Sequence, residues 1–196
     1  MIITVRVMPE GFSLPGVHRI IQNIEVTDDK CGSLLAEQLG NEKIDVLINN
    51  AGYFFRDKET LDNLNMSEEL KMIDICALGP LRITAALKQA NLLKTISGGS
   101  AAGECSKVIN ITSQGGAIEW RFTQNPEGGD YGHHMSKAAA NMMSVLLSQE
   151  LKGEGVSVGI LHPGFNRTGM IIGYVVSVPL VHNCLCRLHR VYYRYD

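Results

Sequence analysis

His133, His134 and Lys137 lie close together in a stretch, 132–151, whose Ala138, Met142, Val145, Leu146 and Leu151 recur near helical spacing. On a helix His133 and Lys137 share a face at i and i+4, and His134 and Lys137 do so at i and i+3. An imidazole donates or accepts a proton near neutral pH. An ammonium one turn away favours the neutral ring, which makes that ring a poorer acid. Tyr131 offers a phenol six residues before Lys137, off the lysine's face unless the helix starts late. Ser113 follows the β-branched run KVINIT, residues 107–112. A hydroxyl there holds a ligand oxygen or caps a turn. His182, Cys184, Cys186 and His189 are all ligand-type side chains, but their spacing is not a common zinc pattern. No metal is expected.

The elements that must position these groups alternate. Residues 2–7, 17–26, 45–49, 107–112 and 156–161 read as strands. Thr27-Asp28-Asp29 supplies a helix N-cap, and a helical stretch at 30–39 is closed by Gly40. A long helical region covers 67–93, with Gly79-Pro80 as a kink or boundary. Residues 97–103 and 113–130 read as loops. The strand at 45–49 hardly alternates, so both its faces are expected to be buried. Strands alternating with helices imply βαβ units and a parallel sheet. Ligands of such sheets bind beyond the C-terminal strand ends. That puts Asn49-Asn50, Thr112-Ser113 and His162-Pro163 around one crevice.

Bulk properties narrow the class. With 45% apolar and 19% charged residues in 196, the composition is that of a globular domain, not a disordered chain. A net charge of −2 argues against a nucleic-acid surface. The longest stretch without charge, 168–186, contains Pro179, His182 and Asn183, so no membrane span is expected. Cys31, Cys76, Cys105, Cys184 and Cys186 are an odd, scattered set. They read as reduced thiols of a cytoplasmic protein, and no signal-peptide pattern is seen.

Four segments at strand ends carry a family resemblance. Residues 45–52, DVLINNAG, resemble the strand-plus-NNAG signature of short-chain dehydrogenases/reductases. Residues 108–116, VINITSQGG, resemble the strand that ends in the family's catalytic serine. MSKAAANM, residues 135–142, resembles the active-site helix with its lysine. HPGFNRTGM, residues 162–170, resembles the motif that closes over nicotinamide. Glu25-Val26 resembles an Asp-Val that touches adenine. The wording is nearest the C-factor-like and sniffer-like carbonyl-reductase branch.

The resemblance implies an α/β, Rossmann-like, doubly wound, mostly parallel, three-layer sheet. It implies hydride transfer between NAD(P) and a small carbonyl or alcohol substrate. Ser113 would hold the substrate oxygen and Lys137 the nicotinamide ribose. Asn50, Ala51, Gly52, Glu25, Val26, Pro163, Gly164 and Thr168 would contact the cofactor. Arg6, near the end of the first strand, could pair with a 2′-phosphate and favour NADP. Family members pair through two long helices, here 67–93 and 132–151, so a homodimer is expected.

Three departures stand out. The family's tyrosine, four residues before the lysine, is His133, leaving His133 or Tyr131 as proton donor. The family's helix asparagine is Cys76, which reads as a small buried apolar residue. No G-x-x-x-G-x-G turn precedes Ile2, so the first and central strand and its phosphate-binding glycines are missing. Without that strand, residues 2–7 and 45–49 must pair with each other or leave edges unpaired. The domain is expected at 1–170, followed by a divergent, disordered or loosely docked tail at 171–196. Both ends read as truncated. The rival readings are a non-catalytic binding or dimerising relative, and a fragment.

Overall fold

The computed structural model describes residues 1–7, 15–55 and 57–164. The apolar runs read as strands do form them. β3 (Val46–Asn49), β4 (Lys107–Ile111) and β5 (Ser157–Leu161) make one parallel sheet in the order β3-β4-β5. β1 (Ile2–Thr4) and β2 (Arg19–Ile21) pair in parallel as a second, two-stranded sheet. No ladder joins β1 to β3 among the described residues. Of the two outcomes open to these strands, the unpaired edges are the one found.

Helices cover one face of the three-stranded sheet. Leu47 packs on both buried clusters. One gathers Ile21 and Ile24 with Leu35 and Leu39 of α1 (Cys31–Leu39) and Ile83 and Leu87 of α3 (Gly79–Gln89). The other gathers Val108 with Leu151, the last residue of α5 (Tyr131–Leu151), and Val156. α1 and α3 approach closely at Gly32, where a side-chain carbon would sit 2.9 Å from Arg82 O. The opposite face is not covered by described residues: Val46 is 49% and Ile48 54% exposed. The expectation that this strand is buried on both faces is therefore corrected. Its weak alternation reflects apolar residues on both sides, but the described helices reach only one of them. The second helical layer of the three-layer architecture is not among the described residues.

Three local readings also change. The run at 17–26 is a strand only at Arg19–Ile21, because Asn23 turns the backbone into the left-handed region (φ 63°). α1 begins at Cys31 without a side-chain cap, and Asp28 Oδ1 instead accepts from the Lys30 N–H at 2.8 Å. The supposed loop at 113–130 contains a 3-10 turn, Gln114–Gly116, and α4 (Ile118–Gln124). Ile118 and Phe122 of α4 are 78% and 80% exposed, so no inward apolar stripe announced this helix.

The helical region after Asn65 runs through α2 (Met66–Ile73), a π turn (Asp74–Leu78) and α3. Pro80 has no N–H, and its ring would clash with a carbonyl four residues back. The π turn absorbs this, with the Gly79 N–H bonding Asp74 O five residues back. Gly79-Pro80 thus marks a change of winding rather than a break. Arg82 fastens the turn, reaching Asp74 at 2.6 Å, Asp29 at 2.7 Å and Val26 O at 3.2 Å.

Candidate active site

Beyond the end of β4 the chain turns back against α5. The Ser113 hydroxyl accepts from the Gly115 N–H at 2.9 Å and caps the 3-10 turn. That bond uses an oxygen lone pair and leaves the O–H able to donate. Gly115 lies under two functional groups. A side-chain carbon on it would be 2.9 Å from His133 Nε2 and 3.2 Å from Ser113 Oγ. Gly116 lies against the α5 backbone itself, where the same carbon would be 2.5 Å from Lys137 O and 2.6 Å from Ala138 N. Two consecutive glycines thus bring Ser113, His133 and the Lys137 turn of α5 to one place.

His134 secures this contact. Its Nδ1 lies 2.8 Å from Gly115 O, and its Nε2 3.2 Å from the Asn125 side-chain nitrogen. Arg121 of α4 lies 3.4 Å from His134 Nδ1 and donates to Gln114 O at 3.4 Å. The His133 ring meets Phe54 edge-on, with centroids 5.1 Å apart. α5 starts at Tyr131, so the late start that would bring this phenol onto the lysine's face does not occur. Six residues of helix put Tyr131 about 120° around the axis from Lys137.

Burial, helped by the charges of His134, Lys137 and Arg121, lowers the His133 pKa from 6.5 to about 4. The ring is therefore neutral at pH 7, and its Nδ1 is buried without a partner. Because the folded-state value lies below the unfolded one, this residue's contribution to stability is complete above pH 6.5. It is lost as pH falls from 6.5 through about 4. The shift corresponds to at most about 3 kcal/mol. Thermal unfolding across pH 4–7 is expected to show this acid loss, and His133→Phe to remove most of it. An equal slope in both proteins would contradict the burial of this ring.

The strand ends are held by a buried polar chain. The Asn49 amide donates to Asn110 Oδ1 at 2.8 Å and to Thr84 Oγ1 at 3.3 Å. The Asn110 amide donates to Ser144 Oγ of α5 at 2.8 Å, and Thr112 Oγ1 to Asn141 Oδ1 at 2.6 Å. Asn50, Ala51 and Gly52 follow as exposed residues. A side-chain carbon on Gly52 would meet only Asn50 O, at 3.9 Å, so the protein's own packing does not require a glycine here. That open backbone fits close approach by a ligand. Cys76 sits in the π turn, buried, with its thiol 3.8 Å from Tyr53 O, in keeping with the apolar reading.

At the other rim, Val26 packs against Gly79, and Glu25 pairs with Arg6 at 3.3 Å. Arg6 is 73% exposed. Beyond β5, burial lowers the pKa of His162, and Pro163 and Gly164 lie at the surface. Thr168 and the histidine–cysteine cluster at 182–189 lie outside the described residues. Among the described residues no group of three or more His, Cys, Asp or Glu is arranged to hold a metal ion, and no helix is long and apolar enough to cross a membrane.

Sequence reasoning missed Gly115 and Gly116 as packing requirements, and missed Phe54, Arg121 and the Asn49–Asn110–Ser144 chain. The paired glycines two residues after Ser113 were the available signal.

Comparison with known proteins identifies the family. The short chain dehydrogenase family model matches residues 18–174. The C-signal protein of Myxococcus xanthus is 35% identical over 127 residues, covering 65% of this chain and 68% of that protein. The putative carbonyl reductase Sniffer of Caenorhabditis elegans superposes with a TM-score of 0.70 at 26% identity, over 85% of this chain and 72% of that one. NADPH-bound carbonyl reductase from chicken fatty liver gives 0.59 at 25% identity, over 74% of this chain and only 57% of the other. The chain belongs to the short-chain dehydrogenase family, an oxidoreductase family with a Rossmann-like α/β fold.

Proposed function

We propose that this protein is an NAD(P)-dependent oxidoreductase that interconverts a small carbonyl compound and its alcohol, with a weakened proton relay. The observation that carries the reading is the convergence of Ser113 Oγ and His133 Nε2 on Gly115, beside the Lys137 turn. A bound reduced nicotinamide supplies the hydride. Lys137 holds its ribose. Glu25, Val26, Asn50, Ala51, Gly52, Pro163 and Gly164 line its site. The open backbone at Gly52 supports this. NADP is the preferred form, because Arg6 offers an exposed guanidinium beside Glu25. The catalytic domain spans residues 1–170, with 171–196 as a tail. Cys31, Cys76 and Cys105, all free, accord with a cytoplasmic setting.

Ser113 uses its free O–H to hold the substrate oxygen. His133 moves the proton, and does so poorly. With a pKa of about 4, about one ring in a thousand is protonated at pH 7. Carbonyl reduction is therefore expected to be slow at neutral pH and to rise toward pH 4. NADPH consumption with a reactive aldehyde or quinone, followed between pH 4.5 and 8, checks this. A rate that is flat or falls toward acid would remove His133 from the relay.

The second reading is a non-catalytic, dimerising relative. Leu70 (67% exposed) on α2, and Met142 (62%) and Leu146 (57%) on α5, favour it. A dimer by ultracentrifugation with no NADPH turnover at any pH would select it.

A further inference from the structure

Asp130 stands at the N-cap of α5 in the left-handed region (φ 51°), and its side chain makes no capping bond. The first N–H groups of a helix have no acceptor within the helix. Here one acceptor comes from a distant strap: Glu59 Oε2 accepts from the Gly132 N–H at 3.1 Å. The strap is fastened by backbone as well. The Asp130 N–H donates to Glu59 O at 2.9 Å, and the Glu59 N–H to Asp130 Oδ1 at 3.3 Å. Gly132 in turn lies against α2, where a side-chain carbon would be 3.0 Å from Glu69 Cγ. Glu59 and Glu69 are 2% and 5% exposed, and both flank Gly132, Glu59 through its carboxylate and Glu69 through Cγ. On each, Oε1 is buried with no partner.

We propose that Glu59 and Glu69 share one proton and form an acid–carboxylate clamp that caps α5 from outside and holds its first turn, which carries His133, against the rest of the site. Two buried carboxylates in contact repel. A single proton between them turns both orphaned oxygens into one short, charge-assisted O–H···O bond. Glu59 is the carboxylate, because it accepts the helix N–H and faces the positive end of the α5 dipole. Glu69 carries the proton. Burial, and then the charge of Glu59, raise its pKa.

Among the described residues several other ionisable groups lie near the clamp. Lys58 is paired with Glu127 at 3.6 Å, and Asp130 holds the Glu59 N–H. On α2, Glu68 and Lys71 pair at 3.5 Å, with Lys71 over the Tyr53 ring. α5 adds Tyr131 and His133, His133 being neutral above about pH 4. Among the described residues Glu59 is the one charge that acts on Glu69. The clamp itself is independent of the oxidoreductase reading. Only its use in placing His133 for proton transfer rests on that reading.

Because the folded-state pKa of Glu69 is raised, the clamp is intact at low pH and is lost as pH rises through that value. Carboxyl-carbon NMR of the full-length protein, with glutamates assigned through bonds, reads the proton. Amide exchange at Gly132, corrected for its intrinsic pH dependence, reads the helix start. Glu69 is expected to titrate above the ordinary glutamate value of about 4.3. Gly132 exchange is expected to accelerate at least tenfold through the same midpoint. Glu69→Gln, whose amide donates to Glu59 at every pH, is expected to keep Gly132 protected throughout. Should that variant not fold, the coincidence of the two wild-type midpoints decides alone. A Glu69 titration in the ordinary range, or Gly132 exchange that ignores the Glu69 midpoint, would overturn the proposal. None of these readouts involves a nicotinamide, so they stand or fall apart from the redox assignment.

Discussion

His133→Tyr is expected to raise the rate of NADPH-dependent carbonyl reduction at pH 7 by about a hundredfold or more, with little change in KM. The position lies one helical turn before Lys137, and a phenol there keeps its proton at neutral pH. An imidazole with a pKa of about 4 has already lost it. A well-placed general acid is worth about 10²–10⁴ in rate. The phenol is also longer, and the imidazole it replaces already points at the space over Gly115 that it shares with Ser113. Because only the transition state gains, the change is expected in kcat rather than in binding. His133→Phe separates proton transfer from shape: it fills the same pocket against Phe54 and is expected to remain at or below the wild-type rate. Equal rates for the tyrosine and phenylalanine variants would mean that position 133 handles no proton.

Gly116→Ala is expected to be the most damaging small substitution in the site. An added methyl would sit 2.5 Å from Lys137 O and 2.6 Å from Ala138 N. Both belong to the backbone of a 21-residue helix, which cannot swing aside as the end of a side chain can. Overpacking of this kind costs typically 1–3 kcal/mol and sometimes more. For a chain of this size, about 3 kcal/mol lowers the melting temperature by about 6–12 °C. Gly153→Ala, where nothing lies within 4 Å, is the matched control and is expected to shift it by far less. If the two variants melt together, α5 does not dock on the loop after β4 as described.

Legibility in the sequence followed the physics of each segment. β3, β4 and β5 were readable because short β-branched runs between turn residues have few other uses, and α5 because its apolar residues recur with helical period. The crevice was readable because parallel strands end on one side. α4 was invisible, since its large apolar residues point to solvent and leave no inward stripe. The π turn was read as a kink, because Pro80 announces a missing hydrogen bond but not how the helix rewinds around it. The clamp could not be read either. Glu59 and Asp130 are 71 residues apart, and only folding brings the strap onto the start of α5. The state of His133 was half legible. Its spacing from Lys137 indicated a neutral ring, but desolvation is the larger cause, and burial is a property of the fold.

The most direct test of the account uses Trp120, the single tryptophan, which sits on α4 beside the loop that carries Ser113. NADPH titrated into the full-length chain is expected to draw energy transfer from Trp120 saturably, to be displaced by NADP⁺, and to bind about tenfold more weakly to Lys137→Met. Transfer that never saturates, or an affinity indifferent to Lys137, would contradict a nicotinamide site at the ends of β3 and β4.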